Sequence, residues 1–203
     1  VQGDKGMSFI IGLTGPTGAG KSTVSAAAEQ FGLRVVNCDL LARKAVEKGT
    51  EGLKALTAVF GNGILEKDGS LNRKKLAAVA FKTPENTELL NKTLLPHIVK
   101  LVKKETNSKN ALLDAPTLFE SGLNSECVKT IAVLADKKLR KERITARDNI
   151  TKQQALLRIN AGKPDDFYKT HADCIIYNNG DENAVITRFS NILKEITEEI
   201  TNE

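Results

Sequence analysis

Short apolar runs and helical apolar stripes alternate along this chain. Runs rich in Ile, Val and Leu fall at residues 9–13, 33–38, 111–114, 130–134 and 174–177, each leading into Gly, Asp or Asn. Their length and bounding residues predict buried strands. Between them, Val24, Ala27, Ala28 and Phe31 keep helical spacing up to Gly32, and Leu40, Leu41, Ala45 and Val46 do so up to Gly49. A last amphipathic stretch carries Val185, Phe189, Leu193, Ile196 and Ile200 on one face. Strands joined by helical crossovers predict an α/β fold, a three-layer α/β/α sandwich on a five-stranded parallel sheet.

Residues 50–108 break this alternation and read as helices joined by turns at Gly61-Asn-Gly and Asp68-Gly-Ser. Leu53, Leu56, Val59 and Phe60 form one apolar face, and Leu76, Val79 and Ala80 a second. Leu89, Leu90, Leu94, Ile98, Leu101 and Val102 run through a longer helix that Pro96 is expected to kink or divide. A helical insertion between the second and third strands suits a cap over a substrate.

The chemistry starts where the first strand ends. Gly15-Pro-Thr-Gly-Ala-Gly-Lys-Ser22 satisfies GxxxxGK[ST] between a strand and a helix, the arrangement of a P-loop NTPase core. Glycines let the backbone turn its N–H groups inward, and the following helix N-terminus adds positive potential for a polyphosphate. Lys21 is then a charge for the β and γ phosphates and Ser22 a ligand for Mg²⁺, so ATP with Mg²⁺ is the expected cofactor pair. Asp39 and Asp114 both end strands, where open α/β sheets bind ligands. Ordinary readings compete: Asp39 as a helix N-cap and Asp114 as a turn residue before Pro116. Asp114 otherwise matches the aspartate that holds Mg²⁺ directly or through water.

Charge sharpens the picture. The 203-residue chain carries 30 Lys and Arg against 25 Asp and Glu. Residues 136–169 hold ten basic and five acidic side chains, a surplus equal to that of the whole chain. Arg140, Arg143 and Arg147 fall on one helical face there. Such a face is usually solvated, but beside a phosphate loop it is placed to neutralise a triphosphate. Aromatic content of 4% leaves no stacking platform, which argues against a nucleic-acid partner. The guanine-reading Asn-Lys-x-Asp is missing, which argues against a GTPase switch.

Cys38, Cys127 and Cys174 have no metal-ligand spacing and read as reduced buried thiols. With no membrane span or signal peptide in the pattern, the expected setting is cytoplasmic, without a membrane partner. Met7 is the only methionine and is taken as the native start, with residues 1–6 as an added remnant.

Six ordered segments resemble the dephospho-CoA kinase family: IGLTGPTGAGKST, VVNCDLLARKAVEKG, ILEKDGSLNRKKLAAVAF, LLDAPTLFESG, ERITARDNITKQQALLRI and ADCIIYNNG. The similarity spans residues 10 to about 180. It implies phosphorylation of the ribose 3′-hydroxyl of dephospho-CoA, the last step of coenzyme A synthesis. It implies a nucleotide-binding core of residues 7–48, 109–135 and 171–203, a helical CoA-substrate domain at 49–108 and a lid at 136–170. The family's base falls on Asp39, with Lys21 and Arg147 as its other catalytic positions. ATP contacts fall on Gly15, Pro16, Thr17, Gly18, Ala19, Gly20, Lys21, Ser22 and Thr23, and on Arg143, Arg147, Asn178 and Gly180. Arg158 matches as a neighbour of the lid arginines, and Asn178 and Gly180 match the turn beside adenine. Ser22 and Asp114 match the metal positions.

The chain departs from the family pattern in several places. Pro16 and Thr17 replace a Gly and an Ile, Asn37 replaces the first aspartate of Asp-Ala-Asp, and Gly162 replaces a glutamine. Pro96-His97 inverts the usual His-Pro, so no function is carried onto His97, and His171 is read as structural or exposed. The sequence leaves oligomeric state open, with a monomer expected. Its alternatives are another P-loop kinase, acting on a nucleoside monophosphate or small alcohol, and a non-catalytic nucleotide-binding module.

Overall fold

The protein is described by a computed structural model over residues 8–202; the expectation about Met7 and residues 1–6 concerns positions outside those described. The chain runs β1 (Ile10–Thr14), α1 (Lys21–Gln30), β2 (Arg34–Asn37), α2 (Cys38–Ala45), α3 (Glu51–Phe60), α4 (Arg73–Ala80), α5 (Pro84–Thr106), β3 (Ala111–Asp114) and β4 (Lys129–Leu134). It continues through α6 (Lys137–Asp148), α7 (Lys152–Ala161), α8 (Asp165–His171), β5 (Cys174–Tyr177) and α9 (Glu182–Thr201). The five strands pair in parallel in the order β2-β3-β1-β4-β5.

Alternation along the strands divides the core between the two faces. Ile11, Leu13, Leu112, Ile131 and Val133 point to the side covered by α1 and α9, where Phe189 and Val185 are fully buried. Leu113 packs with Val36, Leu41, Ile98 and Val102 on the side covered by α2 and α5. Ala132 and Leu134 meet Tyr168 of α8. Burying one such large side chain stabilises the fold by roughly 1.5–3 kcal/mol. A separate cluster of Val46, Leu56, Ile64, Leu76, Ala80 and Leu90 holds α3, α4 and α5 together. No helix among the described residues is long and apolar enough to cross a membrane.

Four local expectations change. β2 ends at Asn37, and Cys38 already belongs to α2. The N-cap of that helix is Asn37, whose Oδ1 accepts from Leu40 N at 3.0 Å, so Asp39 lies inside the first turn and does not cap it. Helix α5 runs undivided through Pro96. Proline removes one intrahelical bond, but Leu94, Leu95 and Ile98 are packed on either side of it and hold the axis together. Val59, Val79 and Leu89, expected on buried faces, are 41%, 38% and 42% exposed.

Candidate active site

The segment from Gly15 to Gly20 is shaped by backbone that other residues cannot follow. Gly15 has φ 138°, and a Cβ there would collide with the Val133 carbonyl of β4. Gly20 has φ 88° and precedes α1, whose first turn has no side-chain cap and no acidic residue. The free N–H groups of that turn therefore face outward as anion donors. Ala19 N donates to Pro16 O at 3.2 Å and closes the turn.

Three groups from distant segments hold the loop from outside. Arg140 is buried; its Nε donates to Thr17 O at 3.0 Å and its Nη1 to Asp165 Oδ1 at 3.0 Å. Arg143 donates through Nη1 to Ala19 O at 3.2 Å and through Nη2 to Asn178 Oδ1 at 3.1 Å. Asn178, at the end of β5, donates back through Nδ2 to Gly20 O at 3.3 Å. The face read as solvated or phosphate-directed is thus split. Arg140 serves the loop's structure, Arg143 joins loop to sheet, and Arg147 is 63% exposed and pairs with Asp148 at 2.7 Å. Arg158 also pairs with Asp148, tying α7 to α6.

A cavity of about 1230 Å³ opens over the loop. Gly15, Thr17, Gly18, Gly20, Lys21, Ser22 and Thr23 line it, with Asp39, Asp114, Arg143, Arg147 and Asn178. Of the residues singled out from sequence, Pro16, Ala19 and Gly180 do not line it. Ala19 is buried in the core under the loop, and Gly180 is exposed beyond Asn178. His97 is also outside it, packed against Gly52. His171 stacks on Phe167 at 4.3 Å and donates through Nδ1 to Phe167 O at 2.7 Å, a structural position.

Electrostatics inside the cavity are coupled. Lys21 bonds Gly15 O at 3.1 Å; burial pulls its ammonium below the usual lysine range, while Asp114 and Asp39 oppose that shift. Burial pushes the Asp114 carboxyl up, with Lys21 pulling it down and Asp39 adding to the rise. Asp114 Oδ1 is buried without a hydrogen-bond partner. It pairs across the sheet with Leu13 on β1 and Asn37 on β2, so the strand ends bring it beside the loop and Asp39.

Sequence reasoning passed over several lining residues. Thr117 and Glu120 lie in the LLDAPTLFESG segment after β3, where an acidic residue six positions beyond Asp114 is the available signal. Lys163 and Tyr168 reach the cavity from the α7–α8 side. Tyr168 carried no local signal at all, because its burial is set by packing on β4.

Comparison with known proteins identifies relatives of this arrangement. A family model described as dephospho-CoA kinase matches residues 9–183. A dephospho-CoA kinase of Listeria monocytogenes is 40% identical over 179 residues, covering 85% of this chain and 90% of that one. One from Oryza sativa subsp. japonica is 34% identical, covering 95% of this chain and 86% of that one. The crystal structure of TT1252 from Thermus thermophilus superposes with a TM-score of 0.72 at 29% identity, over 93% of this chain and 97% of that one. With a P-loop at the head of a parallel sheet, and with relatives matched over most of their length, the chain belongs to the dephospho-CoA kinase family.

Proposed function

We propose that this protein transfers the γ-phosphoryl group of ATP to the ribose 3′-hydroxyl of dephospho-CoA, giving coenzyme A and ADP. The observation that carries the reading is convergence: one cavity is lined by the loop, Asp39, Asp114 and two arginines of α6. Loop N–H groups and Lys21 hold the β and γ phosphates. Lys21 leaves the Gly15 carbonyl for them, a partner it exchanges without crossing the cavity.

Asp39 is exposed to the cavity and acts on the acceptor. It orients the hydroxyl, whose oxygen forms the new bond to the γ phosphorus as the bond to the β–γ bridging oxygen breaks. The hydroxyl proton passes to the Asp39 carboxylate. Because the transition state is loose, alignment contributes more than basicity. Arg147 exchanges Asp148 for the transferring phosphoryl and neutralises charge as it spreads over the equatorial oxygens.

The donor set fits Mg²⁺. Asp114 Oδ1 is a buried, unpartnered carboxylate oxygen, and Ser22 is exposed and lines the same cavity with its hydroxyl available. One carboxylate and one hydroxyl leave the remaining positions to phosphate and water, as this ion prefers. Bound there, it would offset phosphate charge. Residues 7–48, 109–135 and 171–203 are read as the nucleotide core, 49–108 as the acceptor domain and 136–170 as a lid. The same reading expects a cytoplasmic protein, as a monomer or an oligomer, with no nucleic-acid or membrane partner.

The test is ADP release from Mg-ATP with dephospho-CoA, AMP, CMP, adenosine or no acceptor. Strong turnover with dephospho-CoA alone is expected, lost in Lys21→Ala and lowered in kcat more than in ATP affinity by Asp39→Asn. Preference for another acceptor would replace the substrate assignment. ATP binding without stimulation by any acceptor would make the chain a nucleotide-binding module.

A further inference from the structure

Glu120 stands where three parts of the molecule meet. It borders the large cavity and also a second groove of about 430 Å³, formed by Pro84, Thr87, Asn91 and Leu95 of α5 with Phe119 and Gly122. From the insertion side, Asn91 Nδ2 donates to the Glu120 carbonyl at 2.7 Å. From the α8 side, Phe119 packs edge-on against Phe167 at 6.0 Å and against His171 at 5.6 Å. Within the segment, Ser121 N donates to Thr117 O at 2.9 Å and Gly122 N to Phe119 O at 3.1 Å. The backbone carrying Glu120 is therefore fixed on every side, while one atom of its side chain is not: Oε2 is buried and has no hydrogen-bond partner.

A buried acceptor left unpaired is unfavourable, so a site that keeps one invites a donor from outside the chain. The cations lining the cavity are engaged elsewhere. Lys21 bonds Gly15, Arg143 bonds the loop and Asn178, Arg147 bonds Asp148, and the Lys163 ammonium lies 5.1 Å over the Phe167 ring. A carboxylate only accepts hydrogen bonds and repels phosphate oxygens, so its partner is an N–H or O–H group; in the acceptor of the kinase reading, whose charges are phosphates, such a group is uncharged. The Lys21 ammonium responds to Asp114 and Asp39, whereas Glu120 acts on the Tyr168 hydroxyl, which is pushed up to about 12 mainly by burial. Glu120 faces the cavity from the segment after β3, at its border with the second groove.

We propose that Glu120 is a specificity-determining residue of the acceptor side, its free carboxylate oxygen receiving an uncharged donor of an acceptor that extends from the cavity into the second groove. The inference rests on the kinase reading above. It adds that the acceptor is recognised beyond its reacting hydroxyl and that phosphate is turned away at this border.

The experiment is steady-state kinetics of Glu120→Gln and Glu120→Ala in the full chain, with each substrate varied in turn. The acceptor is whichever member of the panel the parent protein phosphorylates best. A parent inactive on dephospho-CoA therefore overturns the function while Glu120 is still decided on the better acceptor. Loss of a hydrogen bond to a charged group lowers kcat/KM for the acceptor by about 10–100-fold, with KM for ATP within about twofold of the parent. The melting temperature stays level or rises in Glu120→Gln, since an unpaired buried charge is removed. An unchanged kcat/KM for the acceptor overturns the proposal. So does an equal loss toward ATP and acceptor, or a lowered melting temperature with lost ATP binding, which would make Glu120 structural.

Discussion

Single side chains in the cavity work against the stability of the fold, and Asp114 shows how. Burial raises its carboxyl above the ordinary carboxylate value. The protonated form therefore favours folding, and that stabilisation, full below the unfolded value, is lost as pH rises through the folded one. Once ionised, the group is a cost to folding, in keeping with the metal-binding role proposed for it above. Asp114→Asn is expected to raise the melting temperature by about 1–3 °C at pH 7 and by nothing near pH 3, while abolishing the stabilisation that Mg-ATP gives the parent. Scanning calorimetry at the two pH values checks both signs. Cys38 and Cys127, each pushed up to about 12 chiefly by burial, stay protonated at neutral pH and are inert packing groups, in line with their free state.

Helix α6 carries two arginines whose spacing makes them look equivalent and whose surroundings make them opposites. The Arg140 side chain is 5% exposed and joins Thr17 to Asp165; that of Arg147 is 63% exposed and holds only its neighbour Asp148. Arg140→Met strands the Thr17 carbonyl and half-buried Asp165, at a cost of about 2 kcal/mol after solvent screening. The melting temperature should fall by roughly 4–8 °C, and KM for ATP should rise as the loop loosens. Arg147→Ala should leave the melting temperature within about 1 °C but lower kcat by about 10²–10³-fold. Thermal melts beside ATP-dependent turnover separate the two; a reversal of these outcomes would exchange the roles assigned to them.

Across the whole molecule, α6 to α8 border the large cavity and α5 of the insertion borders the second groove, and the segment 115–122 lies between the two. Arg147 must leave Asp148 to reach a phosphate, so nucleotide binding should draw the α6–α7 hairpin over the loop. Hydrogen exchange with a non-hydrolysable Mg-ATP analogue is expected to slow in residues 137–161 and at 15–23, with little change in α9. Unchanged exchange at 137–161 would mean that this hairpin is already closed or takes no part.

Much of this could be read from one dimension. Strand runs, helical stripes, the phosphate loop and the strand-end position of Asp114 depend on residues only a few positions apart, where periodicity and backbone preference act directly. Asn37 as a cap was equally local, yet it was masked by an aspartate two residues on that looked the better candidate. Pro96, expected to kink or divide its helix, does not divide it, because its rule is local while the packing along α5 is not. The strand order β2-β3-β1-β4-β5, the clamp of Arg143 and Asn178 on the loop, the separation of Arg140 from Arg147 and the buried, unpartnered acceptor oxygen of Glu120 all rest on contacts between residues far apart in the chain. Local chemistry settled which groups are available for phosphate; the packing of the sheet and its two covering layers decided which of them face the cavity and which are spent holding it in shape.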